Sequence, residues 1–207
     1  SIDGDRRYQE AELALIDAAI SVGYLRSLSD LHIGRVNPEN LHFGFNVEQK
    51  MLDLAATVAT AIERNEVSET VARVEPGFPQ YDRMRKHLAD YRALADTELP
   101  HVPEVDVVHP GDEYSGTAEL RTVLITLGDL PPNTPPSGTT YDSVLAAGVE
   151  AFQARHGLEV DGIIGTGTFA ELNTPMTDRV AQIELALERL RWLPDVTSEP
   201  IIVVNIP

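Results

Sequence analysis

The sequence predicts a mainly α-helical protein with a helical scaffold bundle, a small three-helix domain, a linker helix and one β-strand. Three observations support this prediction. Apolar residues recur at helical spacing through most of the 207 residues. A stretch rich in proline, residues 99–116, separates two such regions. A β-branched run at residues 200–207 is typical of a buried strand. We therefore expect domains at residues 1–110 and 113–174, followed by the linker helix and strand at 178–207.

The first region is expected to be all-helical. Four helices are predicted, at about residues 6–31, 47–64, 67–74 and 81–95. The first of them is apolar on most sides, which favours a central position in a bundle.

The second region begins with a helix predicted at residues 117–127 and continues through a surface loop at 130–140, which holds four prolines. A further helix follows and is expected to end at Gly157, because glycine accepts the left-handed conformation that caps a helix. Asp161-Gly162 predicts a tight turn. Thr168 with Glu171 has the spacing of a capping box for the next helix.

These turn and helix-end residues carry a resemblance to a known family. They are Phe152-Gln153, His156-Gly157-Leu158, Val160-Asp161-Gly162, and Gly165 with Thr168 and Leu172. The pattern resembles the second half of a peptidoglycan-binding domain of the three-helix type. It departs from the family at Thr166, where the family often has proline, and in a long insertion before Tyr141. The resemblance implies peptidoglycan as the binding partner. Nearly every matching residue has a core, turn or cap role, so the motif indicates the fold more strongly than it indicates a ligand contact.

Other segments are similar to large bacterial L,D-transpeptidases. The helix and strand AQIELALERLRWLP and IIVVNIP resemble the junction that precedes the catalytic domain of these enzymes, and residues 16–38 resemble their scaffold domain. The family's catalytic centre is a cysteine preceded by Ser-His-Gly, and the sequence has no cysteine. The resemblance therefore implies a non-catalytic portion of a cell-wall crosslinking enzyme located in the periplasm or cell envelope, with other cell-wall synthesis proteins as candidate partners.

Two alternatives stay open. The chain could be a structural spacer or partner-docking module without glycan binding. It could instead be the binding portion of a zinc-dependent amidase or carboxypeptidase, since this type of module also precedes such enzymes.

Composition excludes several other functions. The net charge of −17 repels phosphate backbones and anionic lipid surfaces, so nucleic acid is not an expected partner. The sequence has no run of roughly 20 apolar residues, the length that a membrane-spanning helix needs. The six histidines show no metal-ligand spacing, and we expect neither a metal nor a cofactor. The start at Ser1, without an initiator methionine or signal sequence, indicates a processed or excised piece.

The candidate ligand-binding residues are the polar side chains nearest the two glycine turns, because a glycan or stem peptide needs hydrogen-bonding groups beside apolar surface. They are Gln153, Arg155, His156, Asp161 and Thr166. Taken singly, each of them is better explained by a role in a helix end or turn than by ligand binding.

Overall fold

The structure is a computed structural model that describes residues 2–44, 50, 52–136 and 138–194, with side chains from residue 10 onward. The described residues are mainly α-helical, which confirms the predicted fold class. Their α-helices are α1 (Ile2–Ile33), α2 (Leu54–Arg64), α3 (Val67–Val74), α4 (Pro79–Leu94), α5 (Thr117–Leu127), α6 (Ser143–His156), α7 (Thr166–Leu172) and α8 (Met176–Arg191). A short 3₁₀ helix covers Pro38–Leu41. None of the described helices is both long and apolar enough to cross a membrane.

The predicted strand at residues 200–207 lies outside the described residues. Within the described ranges there is no named strand, and the β pairing consists of two isolated antiparallel bridges, Val108 with Ile164 and Glu113 with Thr140.

Two details of the predicted helices are corrected. The second helix begins at Leu54 rather than at residue 47, because the Asp53 carboxylate accepts a hydrogen bond from the Ala56 N–H at 2.9 Å and caps the helix there. Residues 47–49 and 51 of the predicted helix lie outside the described part of the chain.

The central position predicted for the first helix is also wrong. Leu13, Leu15 and Ile20 are 65%, 71% and 66% exposed, whereas Leu28 near the other end is fully buried. The reason is length. At about 1.5 Å per residue, the 32 residues of α1 span about 48 Å, and the 11-residue α2 and 8-residue α3 that pack on it are far shorter.

The chain divides into two compact units. Unit 1 comprises residues 1–89 and 182–207, and unit 2 comprises residues 90–181. A buried polar cluster in unit 1 surrounds Glu188, whose Oε1 accepts hydrogen bonds from the backbone N–H groups of Arg35 and Val36, while Oε2 accepts from Arg191 at 3.1 Å. The Lys50 ammonium donates to the carbonyls of His32 (3.0 Å) and Arg191 (2.9 Å). These bonds satisfy backbone groups where α1 ends and α8 ends.

Unit 2, residues 90–181, is organised around a core of apolar side chains from α5, α6 and α7. Segments outside the helices complete that core, with Val102, Val108 and Tyr141 all 2% exposed or less. The Tyr141 hydroxyl donates to the Gly162 carbonyl at 2.6 Å, which fixes the start of α6 against the turn that follows its end.

Candidate functional site

The turn between α6 and α7 has the predicted glycine geometry. Gly157 adopts a φ of 69° after the last residue of α6, and its N–H bonds the Gln153 carbonyl. Gly162 has a φ of 68°. Both glycine predictions are confirmed. The predicted capping box is wrong: Gly165 is the N-cap of α7, and Thr168 is a buried helical residue of α7.

Gln153 holds this turn from the inside. It is 1% exposed. Its Oε1 accepts from the N–H groups of Gly162 (2.9 Å) and Asp161 (3.2 Å), and its Nε2 donates to the Ile163 carbonyl (2.9 Å) and to Asp161 Oδ1 (3.0 Å). The side chain therefore replaces the partners that the turn backbone would otherwise find in water.

Asp161 is an exposed residue of the turn, and the exposed Thr166 is the first residue of α7. Hydrogen bonds from the Ile163 N–H (2.8 Å) and the Gln153 amide hold the pKa of Asp161 below its usual range. These bonds use Oδ1. Asp161 Oδ2 and the Thr166 hydroxyl make no hydrogen bond to another described residue, and both residues are exposed. They are the two candidates whose polar atoms stay open to a ligand.

Arg155 belongs to a different cluster. Its Nε and Nη2 donate to the Asp129 carboxylate at 3.1 and 2.6 Å, and its Nη1 donates to the Tyr91 hydroxyl at 2.6 Å. The guanidinium also lies 5.9 Å from the centroid of the Phe152 ring. This fork geometry ties α6 to the end of α5 and to α4, so the donors of Arg155 are committed to the fold.

Breaking the Arg155–Asp129 pair is expected to cost stability rather than binding alone. The Asp129 side chain is only 5% exposed, so its coupling to Arg155 should exceed that of an ordinary surface pair. A double-mutant cycle with Arg155→Gln and Asp129→Asn, measured by urea unfolding, is expected to give a coupling of about 1–2 kcal/mol. The exposed Arg85–Asp82 pair is the control, with an expected coupling near zero. Equal couplings for the two pairs would contradict this prediction.

His156 stacks on the core. Its ring centroid is 3.9 Å from that of Phe152, and its Nδ1 bonds the Phe152 carbonyl at 2.8 Å. Burial lowers the pKa of His156 below 6.5; the bond to the carbonyl opposes this shift, and the positive charges of Arg179 and Arg155 add to it.

The lowered pKa of His156 predicts a loss of stability in mild acid. The unfolded chain takes up the proton first, so this contribution is complete above about pH 6.5 and is lost as the pH falls through the folded-state pKa. We expect His156→Gln, which cannot titrate, to flatten the change in unfolding free energy between about pH 7.5 and 5. Urea unfolding across that range measures it, and an unchanged slope would rule out His156 as the cause.

The structure does not bring the five predicted residues into one group. Gln153 bonds Asp161 in the turn, and Thr166 begins α7. Arg155 bonds Asp129 and Tyr91. His156 stacks on Phe152. The sequence indicated the inward position of Gln153, because Gln153 lies four residues after Val149 and next to Phe152, and both of these residues are fully buried.

Sequence reasoning missed a cavity in unit 2. It has a volume of about 270 Å³ and is lined by residues of the segments 95–101 and 172–177. The sequence predicts that the fourth helix includes Ala95 and that residues from 99 onward only connect two domains. Pro100 indicated that the backbone here is extended, because proline disfavours a helix and keeps the preceding residue extended.

No three or more His, Cys, Asp or Glu side chains come together as metal ligands in the ranges that the structure describes. The described surface around the turn offers hydrogen-bonding groups and exposed apolar atoms, such as those of Val160, which is 56% exposed.

Comparison with known proteins gives two matches along the chain. Residues 3–88 match the family model described as "Scaffold domain", and residues 113–172 match the one described as "Putative peptidoglycan binding domain". No curated protein matches the chain. The second match contains all five residues predicted from the sequence. The chain therefore combines a scaffold domain with a domain of the peptidoglycan-binding type.

Proposed function

We propose that the chain binds peptidoglycan through residues 113–174 and that residues 1–110 act as the scaffold for this domain. The family match over residues 113–172 is the observation that carries the proposal. The turn between α6 and α7 and the start of α7 support it, because Asp161 Oδ2 and the Thr166 hydroxyl stay available there while Gln153 and Asp161 Oδ1 bond the backbone of the turn. A location in the periplasm or cell envelope follows from this partner.

We also propose that the binding serves a cell-wall crosslinking enzyme resembling L,D-transpeptidases. The support is the order of segments along the chain, with a scaffold, a peptidoglycan-binding domain and a junction like the one before the catalytic domain of that family. Acyl transfer by that family requires a cysteine nucleophile, which these 207 residues lack. The contribution of this chain is to bind the wall and to position the enzyme.

Retention on purified sacculi tests the binding. The folded chain should co-sediment with sacculi well above an unrelated folded protein of similar negative charge. We expect Thr166→Ala to lower the affinity about fivefold, as for the loss of one hydrogen bond. Thr122→Ala is the matched control, because Thr122 is also exposed, lies on α5, and its hydroxyl donates only to the carbonyl of Ala118 in its own helix.

The second candidate function is a spacer or partner-docking module without glycan binding. One observation favours it, namely that Gln153 and Arg155 use their polar atoms in internal hydrogen bonds and His156 uses its Nδ1 in one. Absence of retention for the wild-type chain would support this function and refute the first.

The nature of the parent enzyme needs a different observation. A Ser-His-Gly-Cys run in the same polypeptide would support the transpeptidase, and a His and Asp ligand set would support a zinc-dependent amidase or carboxypeptidase.

A further inference from the structure

The cavity in unit 2 has an apolar floor. Leu172 and Met176 line it and are 4% and 5% exposed. The remaining apolar lining is aliphatic and comes from Ala95, Leu99, Pro100 and Pro175. The described lining residues include no Phe, Tyr or Trp, and their one aromatic ring is the imidazole of the exposed His101. Its size and its aliphatic lining suit a small aliphatic side chain.

The wall of the cavity is a stretch of backbone with unused hydrogen-bonding groups. Pro100 fixes its own φ and keeps Leu99 extended. The N–H and C=O groups of Leu99 and His101 form no hydrogen bond with another described residue. By contrast, both backbone groups of Val102 are paired with the Asn173 side chain, at 2.8 Å and 3.0 Å. The backbone at 99–101 is therefore held at its end by Asn173 and is free along its length, which is the arrangement that pairs with an extended peptide.

The rim of the cavity carries a carboxylate. Glu98 is exposed, lines the cavity and forms no ion pair or hydrogen bond with a described residue. Two hydroxyl-bearing residues, Thr97 and Thr177, also line it and are exposed. With a net charge of −17 on the whole chain, this rim favours an amine over an anionic group.

We propose that this cavity binds a short extended peptide that carries small aliphatic side chains and a free amine. The peptide pairs with the backbone of residues 99–101, places an aliphatic side chain over Leu172 and Met176, and directs its amine to Glu98. Resting on the proposed function, this assigns the peptide stems of peptidoglycan as the part of the polymer that the cavity recognises, in addition to the contact proposed at Asp161 and Thr166.

The test compares binding to the glycan strands with binding to the peptide stems. The complete 207-residue chain is offered intact sacculi, glycan strands stripped of their peptides by an amidase, and, as a competitor, the peptide fraction that the amidase releases. We expect retention on intact sacculi, at least tenfold weaker retention on stripped glycan, and displacement from intact sacculi by the released peptides.

Two substitutions locate the site. Glu98→Gln keeps the shape of the side chain and removes its charge, and should weaken binding of the released peptides about tenfold. Thr177→Arg, on the exposed first turn of α8, should block the cavity and abolish peptide binding. Asp106→Asn is the matched control, since it removes an exposed carboxylate from the same connecting segment outside the cavity. Unchanged urea unfolding shows that each variant is folded.

The outcomes keep the two proposals apart. If the wild-type chain is not retained on intact sacculi, the proposed function fails. If intact and stripped sacculi retain it equally, or if Glu98→Gln and Thr177→Arg bind the released peptides as the wild type does, the proposed function stands and the peptide site is overturned.

Discussion

Replacing Gln153 with alanine is expected to lower the free energy of unfolding by at least about 3 kcal/mol. The substitution removes five hydrogen bonds, leaves the buried Gly162 N–H without a partner and the Ile163 carbonyl with only the 3.5 Å bond from the Thr168 hydroxyl, and opens space beneath the turn. Each buried unsatisfied group costs about 1–3 kcal/mol. Urea unfolding followed by far-ultraviolet circular dichroism measures the loss.

Gln182→Ala is the matched control, because Gln182 is exposed on α8. A Gln153 variant as stable as this control would show that the turn does not depend on the buried amide. The expected result also affects binding assays. Weaker retention of Gln153→Ala on sacculi would report a damaged fold rather than a lost ligand contact, and so the exposed Thr166 and Glu98 are the better probes of binding.

Replacing Gly34 with alanine is expected to destabilise unit 1 by about 2–4 kcal/mol. Gly34 has a φ of 86°, which strains any side chain. Its new Cβ would also lie 2.5 Å from Glu188 Oε1 and 2.9 Å from Trp192 Nε1. Glu188 cannot move away without breaking the hydrogen bonds that it accepts from the backbone N–H groups of Arg35 and Val36, just after the end of α1.

The fluorescence of Trp192 can be used to measure the destabilisation caused by Gly34→Ala. Trp192 is the only tryptophan of the chain and is 2% exposed, so its fluorescence reports the packing around Gly34. Gly23→Ala is the control. Gly23 lies within α1 with nothing within 4 Å of its added Cβ, and alanine there should stabilise the protein by about 0.5–1 kcal/mol. Similar unfolding curves for the two variants would contradict the role given to the Gly34 contacts.

Local signals in the sequence were sufficient for most helices. The predicted ranges 67–74 and 117–127 coincide with α3 and α5, and the Gly157 cap ends α6 as expected. These features depend on residues a few positions apart, namely the apolar period and the glycine at the helix end. The start of α2 depends on a local bond as well, but the choice of Asp53 over earlier residues could not be made from periodicity.

Features that depend on distant segments could not be predicted. The all-round apolar character of α1 indicated burial, yet periodicity does not tell how long the neighbouring helices are. The cavity brings residues 95–101 against 172–177, more than 70 positions apart, through a core that no local pattern specifies. The candidate binding site was only partly predictable, because some of its contacts are local in sequence and others come from distant elements. Sequence placed Asp161 and Thr166 on the turn, whereas the partners of Arg155, which are Asp129 and Tyr91, come from other elements.

The burial of the Gln153 amide shows that the residues that define the fold of this domain differ from those that a ligand can contact. The residues by which the domain can be recognised, such as Phe152, Gln153 and Gly162, are enclosed where no ligand can touch them. The groups that a ligand can reach, such as Asp161 Oδ2 and the Glu98 carboxylate, are free to differ without disturbing that interior. Two domains with the same motif can therefore discriminate between different parts of one polymer, and shared ancestry of the fold does not imply a shared specificity.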